Sequence, residues 1–219
     1  MRHYQRTLLH QLAQTWEGHR RVLDIGGGDG TIAQAMHDHF GCEVVSIDVV
    51  DRFATGLTIE TAIYDGIHLR FEDDAFDAIT FNNVLHHVPV ASRPSLIREC
   101  QRVCCGTIYV KDHLPIGALD HLRLFCLDVI GNLPHGGMVK ASYLSEQDWH
   151  ALFSDYERTA LPHGGYRTGV FAVIFPDRLE TFMKFRVHCS TEVPLVTCVP
   201  LSFTFADPGG SISIVNWFA

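Results

Sequence analysis

The sequence predicts an α/β fold in which helices cover both faces of a mostly parallel sheet. Short apolar runs that are typical of buried strands alternate along the chain with amphipathic helical stretches. A cluster of glycines joins the first of these runs to the helix that follows it, which indicates a tight strand-to-helix turn. The length of 219 residues, with 47% hydrophobic and 19% charged residues, suits one globular domain of this kind.

The first forty residues predict a helix, a strand, a turn and a second helix. Residues 3–17 form the expected opening helix, because their apolar positions recur at helical spacing. These positions are Tyr4, Leu8, Leu9, Leu12 and Trp16. A short apolar strand is expected over residues 21–25, a glycine turn over 26–30 and a helix over 31–39.

The rest of the chain continues this alternation. The predicted strands are residues 43–47, 76–81 and 107–110, followed by two closing strands near 157–161 and 168–175. The predicted helices are residues 95–103, 119–130 and 145–153. Strands that alternate with helices in this way are typical of a parallel sheet with helices on both faces.

The formal charge of −8 bears on the partners that the protein can have. A protein that binds nucleic acid by neutralising phosphates needs a basic face, so nucleic acid is not an expected partner. The first residues lack the apolar core of a signal peptide, and no apolar run reaches the length of a membrane span. We therefore expect a cytoplasmic protein, monomeric or homodimeric, that acts on a small or neutral substrate.

The seven cysteines are scattered along the chain without a paired CxxC framework. An odd number without such a framework is typical of a reducing compartment, which again indicates the cytoplasm. Cys100, Cys104 and Cys105 precede His113 by a few residues, but no second pair completes a zinc-type set. We expect reduced cysteines and no metal site.

The glycine cluster Asp24-Ile-Gly-Gly-Gly-Asp-Gly30 places an acid at the end of the first strand, directly before the turn. Glycines in such a turn let the main chain approach a ligand closely and begin a helix without a clash. The segment Gly28-Asp-Gly-Thr-Ile-Ala33 also fits the dinucleotide fingerprint, with Asp48 at a suitable distance to hold a ribose. Only the surrounding segments can separate a dinucleotide from other ligands.

Four segments, taken in order, resemble class I S-adenosylmethionine-dependent methyltransferases. They are Val22 to Gly30, Asp48, Tyr64-Asp-Gly66, and the strand and loop from Phe76 to Pro89, where an FD strand leads to LHH. The similarity covers roughly residues 20–176. Val110-Lys-Asp-His-Leu114 and Asp128-Val-Ile-Gly-Asn132 look like one small-molecule branch of this family.

This resemblance implies a Rossmann-like, doubly wound sheet of seven strands in the order 3-2-1-4-5-7-6, closed by an antiparallel hairpin. It implies S-adenosylmethionine as methyl donor, with Asp48 on the ribose hydroxyls and Asp65 at the adenine amino group. The expected cofactor-binding residues are Asp24, Gly26, Gly27, Gly28, Asp48, Val49, Asp65, Gly66 and Asn82. Asp24 could instead cap the loop, and Asp65-Gly66 is also a turn signal in its own right.

Methyl transfer is an in-line displacement that depends on position and on a dry pocket. In this fold the acceptor is expected to face the residues that follow the fourth and fifth strands. The candidate catalytic residues there are His86, His87, Asp112 and His113. A histidine could remove the proton of a hydroxyl or acidic-carbon acceptor, whereas an amine acceptor needs no base. Of the two adjacent histidines, one is expected to pack in the interior and the other to face the pocket.

The chain is predicted to hold one methyltransferase domain over residues 1–187. Within it, residues 1–19 carry the opening helix and residues 114–145 are the expected substrate cover. Residues 188–219 contain no Lys or Arg, and this tail could be a strand pair, a partner-binding segment or an unrelated extension. Two other functions stay open: a binding or assembly protein that keeps the cofactor fold without turnover, and an NAD-dependent oxidoreductase.

Overall fold

The computed structural model describes residues 3–132, 141–161 and 176–187. The strands are β1 (Arg21–Ile25), β2 (Glu43–Asp48), β3 (Glu60–Ile63), β4 (Phe76–Asn82), β5 (Cys104–His113), β6 (Glu157–Ala160) and β7 (Glu180–Arg186). The α-helices are α1 (His3–Ala13), α2 (Thr31–Phe40), α3 (Arg93–Val103), α4 (Ala118–Asn132) and α5 (Glu146–Leu152). Short 3-10 helices cover Val90–Ser92 and Asp177–Leu179.

The strands form one seven-stranded sheet in the order β3-β2-β1-β4-β5-β7-β6, which confirms the predicted fold and strand order. Strands β1 to β5 pair in parallel, and β7 runs antiparallel between β5 and β6. The carboxyl ends of the parallel strands therefore meet at one edge of the sheet. Asp24, Asp48, Asn82 and His113 lie at the ends of four of these strands and so come to this edge.

The core lies in two layers, one on each face of the sheet. On one face, Ile25 of β1 belongs to the apolar cluster that includes Trp149 of α5. On the other face, Val22 belongs to the cluster that includes Leu9 of α1 and Met36 of α2. Side chains of successive strand residues point to opposite faces, so β1 serves both layers. The predicted helices on both faces are thereby confirmed.

The opening helix is shorter than predicted, because α1 ends at Ala13 and not at residue 17. Trp16 leaves the helical path and stacks on Phe40 with ring centroids 4.1 Å apart. The Tyr109 hydroxyl donates to the main-chain carbonyl of Thr15 at 3.0 Å, which fixes the turn that follows α1. Tertiary packing of an aromatic side chain has overridden the helical spacing.

Two strands are not predicted by the sequence pattern. The edge strand β3 is only four residues long and mostly exposed, so it lacks an apolar pattern. Strand β7 contains the buried Glu180 and the half-buried Lys184, and these charges interrupt its apolar run. The predicted final strand at residues 168–175 lies outside the described residues, as does the tail 188–219. In the described part of the chain, no helix combines the length and the apolar character needed to cross a bilayer.

Candidate active site

A cavity of about 440 Å³ opens at the carboxyl edge of β1, β2 and β4. All nine residues that the resemblance implies for cofactor binding line it, namely Asp24, Gly26, Gly27, Gly28, Asp48, Val49, Asp65, Gly66 and Asn82. Of the four predicted catalytic residues, His87 lines this cavity as well. His86, Asp112 and His113 lie in a neighbouring buried group and are not among the described residues that line the cavity. The structure thus collects these residues at one edge of the sheet, while their binding and catalytic roles stay predictions.

The glycine turn is so tight that a side chain at Gly26 or Gly27 would clash with its neighbours. The main-chain N–H groups of Gly26 and Gly27 donate to the carbonyl of Ile47 at 2.7 and 3.1 Å, which folds the turn over the end of β2. A Cβ at Gly27 would lie 1.9 Å from the Ser46 Oγ and 2.6 Å from the Asp24 Oδ2. Gly28 has a φ of +63°, a left-handed conformation that favours glycine. The sequence therefore needs glycine here for the turn itself, and the result is a main chain open to the cavity.

Asp24 ends up buried beneath this turn with little compensation for its charge. Its carboxylate accepts hydrogen bonds from the Ser46 hydroxyl at 3.0 Å and from the Thr80 hydroxyl at 2.8 Å. Burial nevertheless raises the pKa of Asp24 to about 6, and the nearby Asp48 carboxylate adds to this effect. Asp24 thus supports the turn from below and carries a charge that the described side chains do not pair.

Asp48 is held in place by the main chain around it. Its carboxylate accepts hydrogen bonds from the N–H of Gly28 at 2.8 Å and of Val50 at 3.0 Å. The guanidinium of Arg52 lies 3.5 Å away. Because these donors come from both the glycine turn and the loop after β2, Asp48 joins two walls of the cavity.

Asp65 forms a local turn at the rim of the cavity. It accepts hydrogen bonds from the N–H groups of Ile67 and His68 at 2.9 and 2.7 Å, and its second oxygen pairs with the His68 ring. These bonds hold the pKa of Asp65 well below its usual range. Gly66 follows with a φ of +91°, so the Asp-Gly pair serves as a turn whether or not it contacts a ligand.

The end of β4 rests on a buried polar network that the sequence pattern does not assign to the site. The Tyr4 hydroxyl donates to the Asn82 Oδ1 at 2.5 Å, and Tyr4 and Asn83 both line the cavity. Lys111 donates to the Asn83 Oδ1 at 2.9 Å and pairs with Glu180 at the same distance. Tyr4 occupies an apolar position of the opening helix, so its sequence pattern resembles that of an ordinary core residue.

The other predicted catalytic residues belong to a buried group that we name the histidine–carboxylate cluster: His86, Asp112, His113, Asp128 and Tyr143. The Nδ1 of His86 forms a short hydrogen bond with Asp112, and its Nε2 faces the Oδ2 of Asp128 at 3.6 Å. The Nε2 of His113 lies 3.7 Å from the other oxygen of Asp128, and the Tyr143 hydroxyl donates to Asp128 at 2.5 Å. The His86 and His87 rings are 4.0 Å apart, so the cluster directly adjoins the cavity.

The buried carboxylates of this cluster share one histidine cation. Burial disfavours the charged form of His86, but the carboxylates of Asp112 and Asp128 outweigh it and raise the pKa of His86 to about 9. Asp112 is equally buried, yet the His86 charge lowers the pKa of Asp112 to about 2. Burial lowers the pKa of His113, which stays a neutral neighbour of the pair.

Asp128 and Tyr143 come from residues 114–145, the segment predicted to cover the substrate. Asp128 was not among the predicted site residues, because the cluster joins β5 to α4 and to the chain after it across long sequence distances. Part of the segment, residues 133–140, lies outside the described residues, and its covering role stays a prediction.

Comparison with known proteins agrees with this geometry. A family model described as a methyltransferase domain matches residues 1–157, which is more than half of the chain. The chain belongs to this methyltransferase family. Membership favours methyl transfer over the nicotinamide chemistry that the same glycine spacing allows.

The individual relatives are distant, and those with solved structures share the fold. A SAM-dependent methyltransferase of Methanosarcina mazei is 19% identical with a TM-score of 0.59, and the match covers 81% of this chain and 96% of that one. A geranyl diphosphate methyltransferase, solved with GPP and sinefungin, is 13% identical with a TM-score of 0.58, and the match covers 83% of this chain and 76% of that one. An uncharacterized protein of Haemophilus influenzae is 24% identical over 62% of this chain, and the chain spans 57% of that protein's length.

Proposed function

We propose that the protein transfers a methyl group from S-adenosylmethionine to a small-molecule acceptor. The observation that carries this proposal is the cavity in which the glycine turn, Asp48 and the end of β4 come together. The family match supports methyl transfer, and the similar protein of Methanosarcina mazei is a SAM-dependent enzyme. The donor and the class of acceptor are the parts that we add.

The residues present fit such a donor. Gly28 lines the cavity and has open space where a Cβ would stand, so the main chain there can lie directly against a ligand. Asp48 is a fixed acceptor suited to ribose hydroxyls, and Asp24 supplies negative charge beneath the turn. When bound, S-adenosylmethionine supplies an activated methyl group on a positively charged sulfur, which suits a cavity with two buried carboxylates.

The acceptor is proposed to approach from the side of His87, Val88 and Pro89, which line the cavity after β4. Two features support a small molecule. The chain has a net charge of −8, which does not favour nucleic acid as a substrate. A structurally similar enzyme acts on a small molecule, geranyl diphosphate.

Isothermal titration with S-adenosylhomocysteine tests the donor site, with NAD as the competing ligand. We expect a micromolar Kd for the wild-type protein and a Kd that is roughly 10- to 100-fold weaker for Asp48→Asn, as a charge-assisted hydrogen bond is lost. Asp77→Asn is a matched control. Asp77 also accepts two main-chain hydrogen bonds, from Arg20 and Arg21 at 2.7 and 3.0 Å, but it lies at the amino end of β4, away from the cavity.

The outcomes separate the candidate functions. Equal weakening in both variants would show that the Asp48 effect is structural. Binding of NAD in place of S-adenosylhomocysteine would support the oxidoreductase, and no binding of either would refute the proposed donor. If the donor binds, methylation assays with a panel of small-molecule acceptors then test the proposed class of acceptor.

A further inference from the structure

The histidine–carboxylate cluster holds one histidine in an unusual state. The Nδ1 of His86 is bonded to Asp112, while its Nε2 is buried and has no hydrogen-bond partner among the described residues. This atom faces Asp128 at 3.6 Å, which is too long for a hydrogen bond. The Asp112 hydrogen bond thus fixes the ring of His86, while its buried Nε2 has no hydrogen-bond partner among the described residues. A nitrogen in this arrangement is placed to bind a ligand.

The surrounding atoms have the spacing of metal ligands. One ligand atom from each of His86, His87 and Asp128 lies within 4.8 Å of the other two. Two ligands at about 2.0–2.2 Å from a tetrahedral ion lie roughly 3.4 Å apart, close to the distance between His86 and Asp128. The bond from His86 to Asp112 is the carboxylate contact that fixes the ring of a metal-bound histidine.

We propose that His86, His87 and Asp128 bind a divalent metal ion of the zinc type. Two imidazoles and one carboxylate favour Zn²⁺ over Mg²⁺ or Ca²⁺, which prefer oxygen ligands. Imidazole binds metals in its neutral form, so the ion displaces the proton of the His86 Nε2, which is released to water. Asp112 orients His86, and Tyr143 orients Asp128 through its hydrogen bond of 2.5 Å. The site is distinct from the cysteine set considered in the sequence, because Cys100 and Cys104 are buried in the apolar core beside α3 and β5.

Three protein ligands leave a coordination position open, as in catalytic zinc sites. His87 lines the proposed donor cavity, so the ion would lie beside it, on the side where the acceptor approaches. Resting on the proposed function, we infer that the ion binds a hydroxyl of the acceptor. A coordinated hydroxyl releases its proton to water more readily, which makes its oxygen a better nucleophile.

Titration of the metal-free full chain with Zn²⁺ alone tests the site. We expect one ion per chain, roughly 10-fold or greater weakening for His87→Gln and for Asp128→Asn, and roughly 10- to 100-fold weaker binding for Asp112→Asn. The control is His121→Gln, because His121 is exposed on α4 and touches Tyr143 without belonging to the set. This control should bind Zn²⁺ like the wild-type protein.

X-ray absorption of the wild-type zinc complex gives a second readout that does not depend on a variant folding. A first shell of nitrogen and oxygen at about 2.0–2.2 Å without sulfur is the expected result. A sulfur shell, no zinc binding by the wild-type chain, or unchanged affinity in all cluster variants would overturn the proposal. The last case would assign the ion to surface histidines.

Separate experiments can reject the metal site and the proposed function. The zinc titration contains no S-adenosylhomocysteine, and the donor titration contains no metal. Zinc binding without donor binding would keep the metal site and reject the methyl donor. Donor binding without zinc binding would leave the cluster as a hydrogen-bonded network only.

Discussion

Two buried aspartates at the same edge of the sheet are in opposite electrostatic states. Among the described residues, Asp24 at the end of β1 has only hydroxyl donors, and burial raises its pKa to about 6. Asp112 near the end of β5 is also buried, yet the adjacent His86 lowers its pKa to about 2. Since burial alone acts in the same direction on both, the partner decides the outcome.

The two regions differ in how their buried charges are compensated. In the cavity, Asp24 carries a buried charge that no described cation pairs, as is typical of a ligand site. In the histidine–carboxylate cluster, the His86 cation lies between two buried carboxylates and compensates part of their charge. Removing a charge should therefore stabilise the first region and destabilise the second.

The largest effect is expected for His86→Leu. This change leaves Asp112 and Asp128 buried without their cation, so we expect the free energy of unfolding of the metal-free protein to fall by about 3–5 kcal/mol. Denaturant unfolding at pH 7 measures it. The exposed control His121→Leu should change stability by about 0.5 kcal/mol or less.

A loss below about 1 kcal/mol for His86→Leu would contradict the role of His86 as the cation that compensates the two carboxylates. It would mean that the carboxylates take up protons and become neutral once His86 is gone. Following the unfolding of the variant against pH would then reveal the carboxylates that had become neutral.

The comparison also explains what the sequence could predict. The cavity is built from local segments: Asp24 and the glycines lie within seven residues, and Asp48 is the last residue of its strand. Fixed spacing along the chain translates into fixed position at the sheet edge, so nine of its residues could be named from the sequence. Tyr4 was missed because it reaches the cavity from a separate helix.

The cluster depends on contacts between residues that are far apart in the sequence, and a spacing pattern does not reveal such contacts. His86 and Asp112 are 26 residues apart, and Asp128 meets them only because α4 folds back on β5. The sequence pattern pointed to His86, His87, Asp112 and His113 as candidates but held no sign that Asp128 joins them. Strand β7 was missed for a related reason, since its buried Glu180 makes sense only opposite Lys111.

The second prediction concerns Asp24→Asn, which removes the unpaired buried charge. The folded-state pKa of about 6 lies above the ordinary value of 3.8, so the folded wild-type protein binds more protons between these values. The wild-type protein therefore loses stability as pH rises from about 4 to 6. The variant should be more stable by up to about 3 kcal/mol at pH 8, and the difference should shrink toward pH 4.

Unfolding of both proteins across this pH range checks the sign. Asp51→Asn, which removes an exposed acid in the loop after β2, should give no comparable gain. A gain at pH 8 that persists unchanged at pH 4 would show that shape, and not charge, causes the difference. We also expect Asp24→Asn to weaken the binding of S-adenosylhomocysteine, which would tie the unpaired charge to the ligand.

The third prediction separates steric crowding from backbone strain within the glycine turn. Gly27→Ala drives a Cβ into Ser46 and Asp24 and should cost about 2 kcal/mol. Gly28→Ala meets no atom within 4 Å and has only the cost of its left-handed φ, about 1 kcal/mol. Equal losses in denaturant unfolding would show that the turn shifts to accommodate both.

The smallest effect is expected in the cluster, for Tyr143→Phe. The phenol donates to the charged Asp128 at 2.5 Å from a half-buried position, so its loss should cost about 1 kcal/mol. Tyr156→Phe is the matched control, because the buried Tyr156 hydroxyl has no hydrogen-bond partner among the described residues and its removal should cost nothing. If the two variants unfold alike, Tyr143 does not orient Asp128. If only Tyr143→Phe loses stability to unfolding, and its affinity for S-adenosylhomocysteine is unchanged, the cluster and the cavity are adjacent but energetically separate.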